Sequence, residues 1–499
     1  MTPAPDADAI VIGAGPAGMS CAIDLASAGC RVIVLDMQPT PGGQIFRALE
    51  ANTIARPQTD ELLQALGQSY RAGLALIERF RATPGIDFRP GTTVWDLRAD
   101  GTVGWLKGNA AGYLRAPHVA LASGAMERPT PFPGWTLPGV MTAGAVQTLL
   151  KAGRLKPEGR IVLAGTGPLI FLLADQLRRL GGRPVLIART DRLKDKLFAL
   201  GQLRPAGIPA LLKGLVWLAR LRLAGIPMRT GISGLQALGR DRLESVRLVA
   251  GERTVDLPCD LLVVHDGIVP STDLAHAAGL VLEWRTDDAS WRPRTAADGR
   301  AEMAPGPSLT TGPCRIWITG DARRIGGADA AVVHGSHAAS AILAELGRVT
   351  GEPNGADRTD IAVKRSLAAR PFLDAAFPPG LAAQLPDDEA IACRCEDITV
   401  GSLRMAIRSG ATDMNLVRGL LRCGMGPCQG RNCSATLARL LAEAEPEKPL
   451  SSNPFRARPP LRPIPLGALA GMTGLDPDLA QVESLDDKPE AIAGDDIHA

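Results

Sequence analysis

Residues 9–36 read AIVIGAGPAGMSCAIDLASAGCRVIVLD. Ala9-Ile10-Val11-Ile12 is a short, uninterrupted apolar run, the pattern of a parallel strand buried on both faces. Gly13-Ala14-Gly15-Pro16-Ala17-Gly18 follows as GxGxxG. Met19 to Ala28 suits a helix with Gly29 as its stop signal, and Arg31 to Leu35 predicts a second strand ending on Asp36. A glycine turn alone is weak, but here strand, turn, helix and a terminal acid come in the order of a dinucleotide-binding unit. Each part has a task. Gly13 permits the sharp turn, Gly15 lets backbone approach a pyrophosphate, and Gly18 lets helix and sheet pack closely. The helix N-terminus offers free N–H groups to phosphate, and Asp36 can accept from a ribose. The competing reading is a purely structural turn with an idle aspartate.

Outward from this unit come Pro41-Gly42-Gly43-Gln44 and a predicted helix near Thr59 to Arg81. Strands are expected near Ile86 to Arg89, Thr92 to Leu97 and Pro117 to Ala122. The last leads into Ser123-Gly124 and a Pro-rich turn, Arg128 to Gly139. A second strand-turn-helix unit begins near Arg160, with Gly165-Thr166-Gly167-Pro168-Leu169-Ile170 as its turn. Ile170 stands where the third glycine belongs, and the next strand ends on Arg189 rather than an acid. Arg189 could meet a 2′-phosphate, which leaves NADPH open. The favoured reading is a site that has lost nicotinamide binding or binds something else. Residues Asp191 to Met228 predict helix broken at Pro205, Pro209 and Pro227. Within them, Pro209 to Met228 is apolar with a few basic residues. It suits either a core-facing helix or a surface for a partner subunit or membrane. Further strands are expected at Ser245 to Ala250, Leu261 to His265 and Arg315 to Thr319, the last ending in Gly320-Asp321 before a helix after Ala328. Apart from the two glycine-turn units, no internal repeat is evident.

A chain of 499 residues exceeds one core and predicts two to four domains. Its 45% hydrophobic and 21% charged residues are ordinary for a globular protein, and a net charge of +3 gives no footprint for nucleic acid. The opening residues show no export pattern and no long uncharged apolar run occurs, so a cytoplasmic protein is expected. In a reducing compartment grouped cysteines read as metal-binding or redox-active rather than disulfide-bonded.

Five of the nine cysteines lie between Cys393 and Cys433, as C-x-C, 27 residues, then C-x4-C-x4-C. Four thiolates, two per iron, make a 2Fe-2S cluster, and one close pair plus a second loop can supply them. The tight Cys393-x-Cys395 pair suits a zinc knuckle poorly, although zinc remains the competing metal. Asp397 or Thr399 can cap a helix to Ser409 ended by Gly410, and Thr412 can cap another toward Leu421. Gly424, Gly426 and Gly430 allow amides to point at sulfur. Cys21 and Cys30 read as packing residues. His118, His265, His276, His334 and His337 are scattered, except that His334-x2-His337 could approach a flavin or an interface. No catalytic constellation stands out.

The order of the glycine turn, PGGQ, Ser123-Gly124 and Gly320-Asp321 resembles the two-dinucleotide-domain, glutathione-reductase-like flavoproteins. CRCEDIT followed by GMGPCQGRNC resembles the bacterioferritin-associated-ferredoxin-like iron–sulfur domain. VIGAGPAGMS, PGGQIFRA, SGAMERPTPFPGWTLPGVMTAGA and the cysteine module together resemble the A (alpha) subunits of hetero-oligomeric amino-acid and opine dehydrogenases. That group includes octopine and nopaline oxidase, D-hydroxyproline dehydrogenase, hydrogen cyanide synthase and heteromeric L-proline dehydrogenase. The likeness runs from Ala7 to about Ala442.

The resemblance implies an α/β fold of two dinucleotide-binding domains plus a small, mainly helical 2Fe-2S domain. The expected spans are 1–150 with 312–350 for FAD, 151–311 for the degenerate second domain, a linker over 351–385, the cluster domain at 386–445 and an extension over 446–499. It carries contacts for FAD, or another adenine nucleotide, onto Gly13, Gly15, Pro16, Ala17, Gly18, Asp36, Gly43, Gln44, Arg47, Ser123, Gly124, Gly320 and Asp321. Cluster ligands carry over onto Cys393, Cys395, Cys428 and Cys433, with Cys423 spare unless the loop folds differently. A glycine-oxidase-like, FAD-containing beta subunit would oxidise the C–N bond of an amino acid, imino acid or opine. An FMN would sit between the subunits, a ferredoxin-like gamma subunit is frequent, and electrons would leave toward a respiratory acceptor at the inner face of the membrane. The alternative is a self-sufficient NAD(P)H-dependent flavin and iron–sulfur reductase.

Overall fold

A computed structural model describes residues 4–54, 60–304, 314–348, 355–381, 385–446 and 454–472. The run Ala9–Ile12 is a strand buried at every position, and it is the central strand of a five-stranded parallel sheet. Across the sheet the order is Arg315–Ile318, His118–Leu121, Ala9–Ile12, Val32–Asp36, Ile86–Pro90. Helix Pro16–Ser27 starts on Pro16, whose fixed φ and missing N–H suit a first helical position. It lies along helix Ala328–Glu345, and small residues let the two approach. A Cβ on Gly335 would overlap the Ala17 carbonyl oxygen, and the Ser20 and Ser336 hydroxyls meet at 2.9 Å.

A second parallel sheet has the order Met228–Arg229, Pro184–Arg189, Ile161–Thr166, Leu261–Asp266, Val140–Thr142. The two sheets repeat one plan. In each, a run of three successive parallel strands (Ala9–Ile12, Val32–Asp36, Ile86–Pro90 and Ile161–Thr166, Pro184–Arg189, Met228–Arg229) leads into an antiparallel three-stranded meander, and the chain then returns as a strand beside the first of the run; Val140–Thr142 joins the second sheet ahead of its run. The meanders are Thr93–Leu97, Thr102–Lys107, Ala110–Arg115 and Gly234–Leu238, Ser245–Ala250, Arg253–Pro258. The repeat is therefore longer than the two glycine-turn units visible in the sequence. Most of these meander strands escape a hydrophobic reading because their alternation is weak; Arg253–Pro258 is almost wholly exposed. Two antiparallel crossover strands, Ala125–Glu127 and Ile268–Pro270, join the halves.

Several local expectations change. The helix predicted over Thr59 to Arg81 is three helices, Glu61–Leu66, Gln68–Arg71 and Gly73–Ala82, broken at Gly67. Asp191 to Met228 resolves into Leu193–Leu200 and Ile208–Leu223. Ile208–Leu223 is not simply core-facing: Leu221 is buried, while Leu212, Leu215, Val216 and Leu223 are exposed. Within the expected linker, Gly355–Ser366 and Arg370–Ala376 are helices, because Phe372 and Ala376 have a core to enter. Of the C-terminal extension, residues 454–472 fold back onto the body through Phe455 and Leu461. The polar stretch 351–354 and residues 473–499 lie outside the described residues.

The cysteine module shares a continuous core with the first sheet: Ile10, Ile12, Leu121 and Ile318 belong with Val400, Leu403, Leu437 and three of the module's cysteines. Among the described residues no helix is long and apolar enough to cross a membrane.

Candidate functional site

The first glycine turn lies at the carboxyl edge of the first sheet. Gly13 has φ +105°, a conformation L side chains rarely adopt, and a Cβ there would come 2.5 Å from the Ala122 oxygen. A Cβ on Gly18 would overlap the Gly13 oxygen. Both glycines are thus demanded by packing. Gly15 is different: a Cβ there would meet only Gly43 Cα, at 3.8 Å, which is ordinary contact. The protein itself does not require glycine at 15, so its absence of a side chain points outward to a ligand.

Asp36, at the end of Val32–Asp36, accepts from the Ala14 amide at 2.6 Å through Oδ2 and from the Gln38 amide at 2.7 Å through Oδ1. Burial raises its carboxyl, and those amides together with Arg47 oppose the rise. Each carboxylate oxygen keeps a second lone pair for a ribose. The PGGQ loop folds over the turn, with Gly42 N donating to Ala14 O at 2.8 Å. Arg47 donates to Gln44 Oε1 at 2.8 Å and Gln38 Oε1 at 2.6 Å, which places Gln44 and Arg47 beside Asp36. Pro16 and Ala17 form the first helical turn, and Gly320 closes on them: a Cβ at 320 would lie 2.6 Å from Ala17 Cβ. Asp321 Oδ1 accepts from the Gly326 and Gly327 amides at 2.8 and 3.1 Å. The neighbouring Thr319 hydroxyl is buried with no protein partner among the described residues. Ser123 and Gly124 instead tie the first half to the second, as Ser123 Oγ donates to Ser271 O and the Ser271 amide to Gly124 O, both at 3.0 Å.

The glycine cradle, the free face at Gly15, the acid and the orphaned hydroxyl fit an adenine dinucleotide laid across this edge. His334 packs against the Gly320 backbone. Burial and Arg323 push its imidazole down to about 4, so it is neutral at pH 7. His337 is buried on the same helix.

Sequence reasoning missed the buried cation beneath the PGGQ loop. Lys151 is 7% exposed, donates to the Gln44 and Ile45 carbonyls at 3.3 and 3.0 Å, and lies 5.5 Å from the Tyr70 ring centroid. Burial and Arg47 push it down to about 8. In the unfolded chain it titrates near 10.5, so between those values the unfolded state binds more protons and stability rises with pH. At about 1.4 kcal/mol per pKa unit, roughly 3 kcal/mol should separate the two ends of that window. Urea titrations of wild type and Lys151→Met from about pH 7.5 to 10.5 should show this rise in wild type only.

The cysteine centre is built from three pieces. Strand Ile391–Cys393 delivers Cys393, the loop after helix Met414–Leu421 delivers Cys423 and Cys428, and Cys433 caps helix Ser434–Ala444. Thr399 caps Val400–Arg408 as expected, but Asp413 rather than Thr412 caps the next helix, its carboxylate accepting from the Asn415 and Leu416 amides. The Sγ atoms of Cys393, Cys423 and Cys433 lie within 4.8 Å of one another, all buried. Cys395 and Cys428 face each other at the more exposed end. Cys423, set aside in the sequence, therefore sits inside the group. Hydrogen bonds from Cys423 and Cys433, and from the Gly424 and Glu396 amides, hold the Cys393 thiol far below its ordinary value. Cys423 is pushed up to about 12. The trio is arranged to hold negative charge on Cys393 beside the positive end of a helix. Three converging buried thiols, with Cys395 and Cys428 paired beside them and amides in support, are a donor set for soft metal and fit an iron–sulfur centre.

The glycines of this loop serve packing as well as sulfur. Cβ atoms on Gly424 and Gly430 would strike the Phe455 ring, and one on Gly426 would overlap Cys395 Cβ. Phe455, from the extension, is thus the lid of the module. Phe455→Ala should lower the unfolding free energy by about 3 kcal/mol and loosen bound metal, read by urea unfolding and by iron retained on dialysis. Trp135, from the Pro-rich turn, anchors the module from the other side, donating from Nε1 to Ile391 O at 2.7 Å.

The Pyridine nucleotide-disulphide oxidoreductase family matches residues 7–289, and the Sarcosine oxidase A3 domain matches residues 391–472, which takes in the folded part of the extension. The A subunit of opine oxidase from Agrobacterium tumefaciens (strain Ach5) is 37% identical, over 94% of this chain and 94% of its own. Hydrogen cyanide synthase subunit HcnB of Pseudomonas protegens is 31% identical, over 92% of this chain and 96% of its own. L-proline dehydrogenase from P. horikoshii shares the fold, with a TM-score of 0.61 and 18% identity over 93% of this chain and 79% of that one. The chain belongs to the pyridine nucleotide-disulphide oxidoreductase family and, along almost its whole length, to the family of the opine oxidase A subunits.

Proposed function

We propose that this chain is the electron-transferring alpha subunit of a hetero-oligomeric flavoprotein dehydrogenase. Its partner, a glycine-oxidase-like beta subunit, oxidises the C–N bond of an amino acid, imino acid or opine. The observation that carries the reading is one continuous core that packs the sheet bearing the dinucleotide cradle against a module with three convergent, buried thiols.

When bound, FAD or another adenine nucleotide, an FMN at the subunit interface and a 2Fe-2S cluster would supply the redox chemistry between that oxidation and a respiratory acceptor. Gly13, Gly15 and Gly18 admit the pyrophosphate, Pro16 and Ala17 present the helix N-terminus, and Asp36 takes the ribose. Gly43, Gln44 and Arg47 cover the adenosine side, Gly320 and Asp321 face the ribityl side, and Ser123 and Gly124 hold the crossover beneath it. Cys393, Cys395, Cys428 and Cys433 are the metal ligands, while Cys423 donates its S–H to the Cys393 sulfur.

An exposed apolar face supports assembly. On helices Leu193–Leu200 and Ile208–Leu223, Leu193, Leu197, Phe198, Leu212, Leu215 and Leu223 are each exposed, and so are Arg192, Lys194 and Arg222. This is the composition of a surface that meets a partner subunit or the headgroups at the inner face of a membrane.

The test is an absorbance spectrum with iron, sulfide and adenine-nucleotide analysis of the anaerobically purified complex. A colourless chain, or one holding zinc in place of iron, overturns the reading.

A further inference from the structure

The second glycine turn keeps its shape but loses its access. In parallel sheets of this kind a dinucleotide lies across the carboxyl edge of the strands. Here that edge is made by Gly167-Pro168, by Arg189-Thr190-Asp191 and by Asp266-Gly267. Ile170, in place of the third glycine, is fully buried in the core.

A later part of the chain comes back to this edge. Helix Arg370–Ala376 packs on helix Leu193–Leu200, burying Phe372 and Ala376 around Ala199. Phe377 follows, its ring centroid 6.3 Å from that of Phe171 and 3.3 Å from Lys196 Nζ. Lys196 donates to the Ala376 carbonyl and pairs with Asp191 at 3.1 Å. Gly380 then presses on Thr190, where a Cβ would overlap the Thr190 hydroxyl. The Gly380 and Leu381 amides both donate to Asp266 Oδ1, at 2.9 and 3.1 Å.

We propose that residues Phe377–Leu381 are a strap that fills the second dinucleotide cleft and thereby determines that this subunit does not use NADH or NADPH. The strap follows the course a dinucleotide would take, from the ribose end at Thr190 and Lys196 to the far end at Asp266. The charges agree. Arg189, the candidate for a 2′-phosphate, is paired with buried Asp191 and lies 5.2 Å from the Phe171 ring centroid. Asp266 puts a carboxylate on this edge, and the strap answers it with two amide donors. An occupied cleft suits a subunit whose electrons come from its partner, so the meaning of the strap rests on the function proposed above, while its existence does not.

The experiment uses the purified complex and two readouts that do not depend on flavin or iron content. Hydrogen–deuterium exchange should find the Gly380 and Leu381 amides protected, and equilibrium dialysis should find no NADPH or NADH bound at about 1 mM, a concentration that would occupy half of a millimolar site. Rapid exchange at those amides, or binding at that concentration, overturns the proposal. Gly380→Val should force the strap off Thr190, and Phe377→Ala should release it more gently. Loss of protection with at least about tenfold tighter NADPH binding supports the strap as the determinant. Loss of protection with no gain in binding overturns it. Absence of flavin or iron from the same samples would count against the proposed function and leave the strap standing.

Discussion

Gly18→Val is expected to abolish nucleotide binding and to destabilise the first half of the protein. Even the first carbon of the new side chain would overlap the Gly13 carbonyl oxygen and lie 3.3 Å from Ala122 Cβ, so helix Pro16–Ser27 must move off the sheet. Overpacking of this kind costs about 1–3 kcal/mol or more. The larger consequence is geometric. The helix N-terminus that would receive a pyrophosphate is displaced with the helix, and bound adenine nucleotide should fall by about 100-fold or more, the scale of a few lost charge-assisted hydrogen bonds. Nucleotide released by acid from the purified complex measures the first effect, and a urea midpoint the second. Gly15→Ala is the informative companion. Its Cβ meets the protein only at van der Waals distance, so the urea midpoint should hold while nucleotide content drops. Equal loss of stability in both variants would mean that Gly15, too, is only a packing glycine.

Cys433→Ala is expected to remove the iron outright. Its sulfur sits at the positive end of helix Ser434–Ala444, buried beside Cys393 and Cys423, and no exposed thiol can replace it without moving that helix. Iron and sulfide should fall by about tenfold or more, as for loss of a ligand or its close support. Electron transfer from the partner to an external acceptor should fall with them, and reduction of the partner's own flavin by substrate should persist. Cys423→Ala separates the two roles open to the fifth thiol. As a hydrogen-bond donor to the Cys393 sulfur it stabilises added negative charge, so its removal should leave the iron in place and lower the midpoint potential. Loss of iron from Cys423→Ala would make it a ligand and displace one of the four.

Much of this was legible in residues 9–36. Four apolar residues in a row, a glycine turn with Pro16 at the first helical position and an acid at the next strand's end are local signals. The first sheet realises them because buried parallel strands and helix starts depend on near neighbours. The second turn's departure from the glycine pattern was legible for the same reason, through Ile170 and Arg189. Most of the meander strands were hidden because Thr102–Lys107 and Arg253–Pro258 have no clean alternation, and their pairing is decided by the strands beside them.

By itself the sequence determined the groups on offer: a glycine turn of dinucleotide-binding pattern, an acid at the next strand's end, and a cluster of closely spaced cysteines. Tertiary structure alone decided how those groups are shared. It brought Cys423 into the buried sulfur group and closed the module with Phe455. It buried Lys151 under the PGGQ loop, and it laid Phe377–Leu381 over the second cleft. The physical reason is separation along the chain. A cap, a turn or a strand is set by residues a few positions apart. A thiol's neighbours, a buried cation's dielectric and the occupant of a cleft are set by segments that meet only when the two sheets and the helices after them pack together.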